Sequence, residues 1–474
     1  MRSSKITAVI PKIAKRSAVV RIARIAADAG IDLYLVGGVV RDSLTGQNAS
    51  PANIDFLVSE GVDKIAGLVA QEFKSRVIKL NPKFDTCMVP YRKVEYEFSG
   101  PKKDLIRATQ KTALPSDLLT RDLILRDFTI NAIAFSLNPT PRQFHDPAGG
   151  IKDLEQRAIR TPLDPHITLQ EDPLRIMRAI RFAAQLDFSI APDLMEAMHD
   201  LKESLLETAV ERRTAELLKI LAAPKPSLGF KLMYVTGVLD VAYPEIAALA
   251  KLNQQSTKRR HHKDVFEHTM KVLDTVAETG GELDTRLAAL LHDIGKPATR
   301  RYDAELGWTF HGHEVIGQRM VRKLGKQWRL STTMIDRVSK MVRLHMRPIN
   351  LSDEGVTDSA VRRLGVQAGA DIEELIRLCR ADVTSADPRK IKRYLENFER
   401  VVAHLVEVEE RDELRAFQSP VRGEEIMAET GLRPGPMIGK LKKAIEEAIL
   451  DGIIPHEHDA ALEYLRKIKD ELAD

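Results

Sequence analysis

The residues whose types and spacing could do chemistry begin with Gly37, Gly38, Arg41, Asp42 and Asp55, all within LYLVGGVVRDSLTGQNASPANIDFLV (residues 33–58). The apolar run Leu33-Tyr34-Leu35-Val36 reads as a buried strand. Gly37 and Gly38 follow it and open a short helical segment, Val39 to Leu44. Bare backbone N–H groups at a helix start suit phosphate, because the helix end adds partial positive charge. Arg41 and Asp42 lie one turn in. A second strand, Ile54 to Val58, carries Asp55 near its start, a carboxylate that could hold a metal. Together these suit chemistry on a nucleoside triphosphate; an ordinary βαβ unit with a glycine turn fits the same residues.

Four further stretches in the first half carry candidate groups. In Leu125-Arg126-Asp127-Phe128-Thr129-Ile130-Asn131, Arg126 could bind a triphosphate and Asp127 or Asn131 a ribose hydroxyl; a helix start with a local ion pair is the simpler alternative. His145-Asp146-Pro147-Ala148-Gly149-Gly150, with Asp153, is a tight turn leading to Ile159-Arg160-Thr161. Glu171-Asp172-Pro173-Leu174-Arg175 opens a helix, and Pro173 suits its first turn. Asp172 and Arg175, three apart, should share a helix face, with Arg178 and Arg181 continuing the spacing. An acceptor beside a guanidinium fork can hydrogen-bond a base edge, and it can also be a surface salt bridge, which on its own is more common. Glu211-Arg212-Arg213, with Glu216, is a charged helix start that could buttress the preceding helix.

A second constellation lies downstream: His268, His292-Asp293, Lys296, His311-Gly312-His313, His345 and Asp382. A lone helical histidine is usually structural. A His-Asp pair with further His and Asp at helix-bundle distances is better explained by a mixed N/O site for a divalent transition metal, or for Mg²⁺ at its oxygen-rich end.

The elements that must position these groups follow from composition and punctuation. The 474 residues suffice for about three domains. Apolar residues make up 43% and aromatic residues 5%, and a Leu/Ala/Val-rich chain with few aromatics leans helical. Net charge is +4, yet Arg2, Lys5, Lys12, Lys15, Arg16, Arg21 and Arg24 precede the first acid, Asp28. Such a run suits a basic arm for nucleic acid, the outer face of a first helix, or a mitochondrial presequence. Cys87 and Cys379 have no metal spacing, which fits a reducing, cytoplasmic setting. No apolar run reaches the roughly 18 residues of a membrane span. Helical spacing over 13–29 ends at Gly30, and strand-like runs at 33–36, 54–58, 76–80, 86–91 and 94–99 make the start mixed α/β. Residues 100–118 read as a mobile connection. From about residue 120 the chain is mostly helical, with boundaries at Ala222–Ser227, Lys251–Lys263 and Asp387-Pro388.

LVGGVVRD, NIDFLV, RDFTINAIAF, DPAGGIKDLEQRAIRT, EDPLRIMRAIRFAAQL and ERRTAELLKIL follow in this order. Over about residues 30–225 they resemble the bacterial class II tRNA nucleotidyltransferase and poly(A) polymerase family. The resemblance implies an α+β fold: a polymerase-β-like nucleotidyltransferase head (1–160), then a mostly α-helical neck that recognises base and RNA (161–250), an HD domain (251–388) and a tRNA-binding tail (389–474). It implies that a tRNA 3′ hydroxyl attacks the α-phosphate of CTP or ATP, with Mg²⁺ in the head. By the same resemblance Gly37, Gly38 and Arg41, with Asp42, would sit at the triphosphate. Asp55 would bind Mg²⁺, Arg126, Asp127 and Asn131 would contact phosphate and ribose, and Asp172 and Arg175, with Arg178 nearby, would read the base. Glu97 matches a position where the family often has an acid.

Two departures stand out. The family's acid-x-acid is Asn53-Ile54-Asp55 here, and a neutral carbonyl is a weaker partner for Mg²⁺ than a carboxylate. Leu125 replaces a first arginine before Arg126-Asp127. The downstream constellation resembles the HD phosphohydrolase superfamily, which implies His268, His292, Asp293 and Asp382 on one divalent metal and His313 and His345 completing a second site. His311 is then a bystander, and Lys296 would meet a substrate phosphate. Ser419 to Ile426, Gly431 to Pro436, and Lys440, Lys442 and Lys443 resemble the RNA-facing end of such relatives. Full CCA addition, A addition alone and poly(A) synthesis share these motifs. An HD phosphohydrolase with an RNA-binding, catalytically weakened head is the rival from another class, and a pure tRNA-binding module a third.

Overall fold

The computed structural model describes residues 11–46, 51–81, 85–102, 114–139, 141–252, 265–305, 307–348, 358–383 and 419–469, with isolated positions between 392 and 403. Arg2 and Lys5, most of the 100–118 connection, the basic run after residue 252, the Asp387-Pro388 joint and the start of the tail lie outside them. The chain forms two compact units, Met1–Pro244 and Glu245–Asp474.

The first unit is built on a seven-stranded sheet: β1 (Leu33–Val36), β2 (Asn53–Val58), β3 (Ile78–Asn81), β4 (Thr86–Tyr91), β5 (Val94–Ser99), β6 (Ala134–Ser136) and β7 (Phe144–His145), in the spatial order β3-β4-β5-β2-β1-β6-β7. Within this sheet, among the described residues, only β2 and β5 pair in parallel. β1 pairs antiparallel with β2, with Val36 opposite Asp55. This removes the ordinary βαβ reading of residues 33–58, because that unit requires parallel strands.

Strand alternation separates core from site. Ile54, Phe56 and Val58 are fully buried, while Asn53 and Asp55 point to the other face. Phe56 stacks on Phe98 of β5 at 5.1 Å, beneath Val19 and Ile22 of helix Ser17–Asp28 and Ile65 and Val69 of helix Val62–Phe73. Burying each such side chain contributes about 1.5–3 kcal/mol. The basic residues of the first helix lie on its outer side, where Arg21 pairs with Glu72 at 2.5 Å.

Helices follow the sheet. The helix Leu174–Leu186 buries Ile176, Met177, Ile180 and Ala183. Its register places Arg175, Arg178 and Arg181 along one side. The expected helix face shared by Asp172 and Arg175 does not form: Asp172 is extended (φ −147°, ψ 100°) and precedes the helix.

In the second unit, helices Val265–Glu278, Leu283–Leu291, His313–Gln327, Thr332–Leu344 and Ile372–Asp382 carry the histidine constellation. Helices Gly423–Thr430, Pro436–Leu450 and His458–Ile468 form a smaller core around Ile426, Leu441, Ile445 and Leu465.

Candidate functional site

Gly37 caps helix Gly38–Leu44 with φ 72° and ψ −142°, a conformation that strongly favours glycine. A Cβ there would lie 3.3 Å from Asp55 Oδ2 and 3.8 Å from Arg126. The antiparallel register therefore brings the glycine turn, the carboxylate and a guanidinium to one point. Asp55 is paired in register with Glu97 across the parallel β2–β5 ladder. Burial raises the Asp55 carboxyl above its ordinary range, and Arg126 opposes this. Glu97 is likewise raised by burial and by Asp55, with a hydrogen bond from Asn53 acting the other way. Two neighbouring carboxyls, both raised by burial and Glu97 also by Asp55, are a donor set that a cation would relieve. Asn53 contributes an amide to that set and no charge.

Around this pair runs a connected polar network. Arg126 is anchored to buried Asp122 at 2.9 Å, the local ion pair open from the sequence. Asp127, 8% exposed, accepts from Phe128 N–H at 2.8 Å, from Asn131 Nδ2 at 3.1 Å and from Arg178 Nε at 2.8 Å. Burial alone would raise its carboxyl; Arg178 and Asn131 hold it far below the ordinary range. Asn131 Oδ1 accepts from Arg41 at 2.8 Å, and Arg41 also donates to Asp42 at 2.8 Å. Arg41, Arg178 and Arg181 lie 5.1, 5.7 and 4.1 Å from the centre of the Phe182 ring. The head loop and the arginine helix are thus joined through Asp127, Asn131 and Phe182.

Arg175 and Asp172 part company. Arg175, 7% exposed, donates to the backbone carbonyls of Thr168 at 3.2 Å and Leu125 at 3.0 Å. Asp172 caps the Leu174 N–H at 3.2 Å and pairs with Arg212 at 2.9 Å. Glu216 meets Arg181 at 2.8 Å, so the 211–216 stretch does brace the arginine helix. The turn after His145 orders the same region: Asp146 accepts from Gly150 and Ile151 N–H at 2.6 and 2.9 Å, and Asp153 accepts from Thr129 at 2.6 Å.

Sequence reasoning passed over Lys102. Its ammonium is disfavoured by burial and then by Arg175 and Arg126, although its surface is open to solvent, as befits a side chain in a cleft. No local pattern marks it; only the sheet brings it to these arginines.

In the second unit, six side chains form two touching groups suited to metal: His268, His292 and Asp382, and Asp293, His313 and His345. Within each group the donor atoms lie within 4.8 Å of one another. His292, His313 and His345 each give Nδ1–H to the carbonyl three residues earlier, at 2.8, 2.9 and 2.7 Å. A carbonyl can only accept, so this fixes the tautomer and turns every Nε2 inward. Inward nitrogens as close as 3.3 Å (His313 to His345) and 3.4 Å (His268 to His292) fit a shared cation well.

Asp293 keeps the contact with His292 expected from the sequence and adds one to the other group. One oxygen lies 3.2 Å from His292 and the other 3.5 Å from His313, so it spans both groups. Lys296 holds it at 2.6 Å. Burial lowers the His292 pKa, but Asp293 and Asp382 outweigh it and raise the value to about 10; burial and His292 push His345 down to about 4. His311 is exposed and stays outside the cluster. Lys440 and Lys443 are exposed, with Lys443 4.0 Å from Glu447. No helix among the described residues is long and apolar enough to cross a membrane.

Comparison with known proteins agrees with this layout. Residues 33–160 match the poly(A) polymerase head domain, 187–249 the probable RNA- and SrmB-binding site of polymerase A, and 265–387 the HD domain. The A-adding tRNA nucleotidyltransferase of Deinococcus radiodurans is 31% identical over 431 residues, covering 87% of this chain and 90% of the relative. The CC-adding tRNA nucleotidyltransferase of Thermus thermophilus is 31% identical over 442 residues, covering 90% and 92%. A similar fold occurs in the Bacillus stearothermophilus CCA-adding enzyme in complex with CTP, at a TM-score of 0.65 and 22% identity over 96% of this chain and 97% of that one. With both tRNA nucleotidyltransferases matched along nearly their whole length, the chain belongs to the tRNA nucleotidyltransferase and poly(A) polymerase family.

Proposed function

We propose that this protein transfers CMP, AMP or both from CTP and ATP to the 3′ end of tRNA, and that its HD centre hydrolyses phosphoesters. The observation that carries the first part is the convergence of Gly37, Asp55, Glu97 and Arg126. Gly37 lets backbone come close to a triphosphate, and Arg126, fixed by Asp122, offers it charge. Asp55 and Glu97 would hold Mg²⁺, with the Asn53 carbonyl as a weaker third group. When bound, such an ion assists the attacking hydroxyl and steadies the leaving pyrophosphate. Arg41, Asp42, Asp127 and Asn131 fix the ribose side of the site. Arg178 ties it to the helix that Asp172 caps; Asp172, partly exposed and paired with Arg212, would have to exchange that partner to meet a base, and Arg175 anchors the helix start.

The HD centre is read as a two-metal site held by His268, His292 and Asp382 on one side and His313 and His345 on the other, with Asp293 between them. A divalent cation there would supply an activated water. Lys296, which pairs with Asp293, would receive a substrate phosphate. We assign the head to 1–160, the neck to 161–250, the HD domain to 251–388 and a tRNA-binding tail to 389–474. A cytoplasmic location suits a tRNA substrate and the buried free thiols of Cys87 and Cys379.

The test is to offer tRNA transcripts lacking the terminal CCA, CA or A, with CTP and ATP given separately. Incorporation is expected, and the nucleotide accepted decides between CC, A and full CCA addition. No incorporation from any transcript refutes the reading. Asn53 favours the rival of a weakened head. Asn53→Asp should raise incorporation at low Mg²⁺ and leave phosphoester hydrolysis unchanged; an unchanged rate would show that Asn53 costs the head nothing.

A further inference from the structure

The second unit has a pocket of about 290 Å³ lined by Gln318, Lys340, Arg343, Leu344, Arg347 and Gln367. Lys340, Arg343, Leu344 and Arg347 recur at helical spacing, so one face of helix Thr332–Leu344 and the turn after it form the pocket's basic wall. Leu344, 5% exposed, pins that face to Val361 and Leu364, while His345 turns into the metal-suited cluster.

Two of the three cations are balanced. Lys340 lies 2.6 Å from Asp371, and Arg343 lies 3.2 Å from Glu314. Arg347 is different. Among the described residues its hydrogen bonding goes to the neutral side-chain carbonyl of Gln367 at 2.6 Å, and Arg343 and Arg363 act on it as like charges. Among the described residues the pocket therefore presents a guanidinium with no carboxylate partner, framed by the amides of Gln318 and Gln367. Its six lining residues include no ring to stack on a base and no carboxylate to accept from one. Guanidinium and amide donors match phosphate oxygens and ribose hydroxyls. Such a lining, cationic and amide-rich, suits a sugar-phosphate backbone and, among the described residues, gives a base no ring to stack on.

We propose that this pocket is a contact for the RNA backbone, in which Arg347, with Gln318 and Gln367, holds one phosphodiester of the tRNA substrate. The inference rests on the tRNA reading above. The contact is electrostatic, so it weakens with salt and adds affinity without choosing a base.

Binding of full-length protein to a labelled tRNA lacking CCA, followed by anisotropy from about 50 to about 200 mM KCl, tests it. Arg347→Gln should weaken binding severalfold and make the slope of log affinity against log salt shallower by about 1. Arg347→Lys should recover the slope, because it restores the charge, and the turnover number at saturating tRNA should be unchanged in both variants. Wild-type affinity and slope in Arg347→Gln overturn the proposal. Equal loss in the Gln and Lys variants with a lowered melting temperature also overturns it, since the residue would then be structural. Wild-type protein that binds no tRNA at any salt overturns the tRNA reading itself and this contact with it.

Discussion

Replacing Arg178 by methionine would keep the apolar stem and remove the guanidinium that, alone among the described residues, is bonded to Asp127 Oδ2. Asp127 would retain the Phe128 N–H and the Asn131 amide, both on its other oxygen. Breaking a buried ion pair by removing one partner costs about 3–5 kcal/mol. Arg178 is 33% exposed against 8% for Asp127, so water can reach the freed oxygen, and about 2–3 kcal/mol is the better figure. For a unit of this size that corresponds to a fall of roughly 5–10 °C in melting temperature.

The pH dependence carries a sign. In the wild type the Asp127 carboxyl is held below its ordinary value. Its contribution is therefore fully present above the unfolded pKa of about 4 and is lost as pH falls below that. Without Arg178, burial would raise the carboxyl, so the variant would lose further stability as pH climbs through the raised value. The gap between the two proteins should widen from pH 5 to pH 7.5. Calorimetry is the assay, because both tryptophans, Trp308 and Trp328, lie in the second unit. An unchanged melting temperature, or a gap equal at both pH values, would refute the role given to the Asp127–Arg178 pair.

A divalent cation at His292 Nε2 must displace a proton that Asp293 and Asp382 help to hold, at a pKa of about 10. Its apparent affinity should therefore rise about tenfold per pH unit between about 6 and 8, and titration calorimetry in buffers of different ionisation heat should count the proton released; a pH-independent affinity would contradict this. At Gly295 an added Cβ would lie 2.2 Å from the His313 carbonyl oxygen and 2.8 Å from the Gly317 nitrogen. Gly295→Ala should thus push His313 out of place, at a cost of about 1–3 kcal/mol, and abolish metal-dependent hydrolysis of a simple phosphodiester while nucleotide incorporation persists. Hydrolysis at the wild-type rate would rule that coupling out.

What was legible in the sequence was what local pattern controls. Gly37 at a strand end, Asp55 on an alternating strand and the His292-Asp293 pair all lie where residue type and spacing put them. What was hidden depends on the order of strands and the direction of side chains. β5 inserts beside β2 from far along the chain, so the register of Glu97 with Asp55 has no local signal. Asp172 and Arg175 have helical spacing, yet the extended backbone at Asp172 sends them to different partners. Asp293 follows His292 in sequence but reaches across to His313, because a carboxylate has two oxygens that face apart. Lys102 acquires its neighbours only when the sheet is complete.

The pairing of Val36 with Asp55 also bears on how preparations of this protein should behave. Side chains on a strand change face at every residue, so a one-residue slip of β2 would turn Asp55 into the apolar core and Ile54 and Phe56 out of it together. The acid cannot drift without turning the core inside out. A misregistered molecule would be sticky and wholly inert, with no slow version of the enzyme in between. Damaged batches should therefore show fewer active sites when titrated, while each surviving site turns over at full speed.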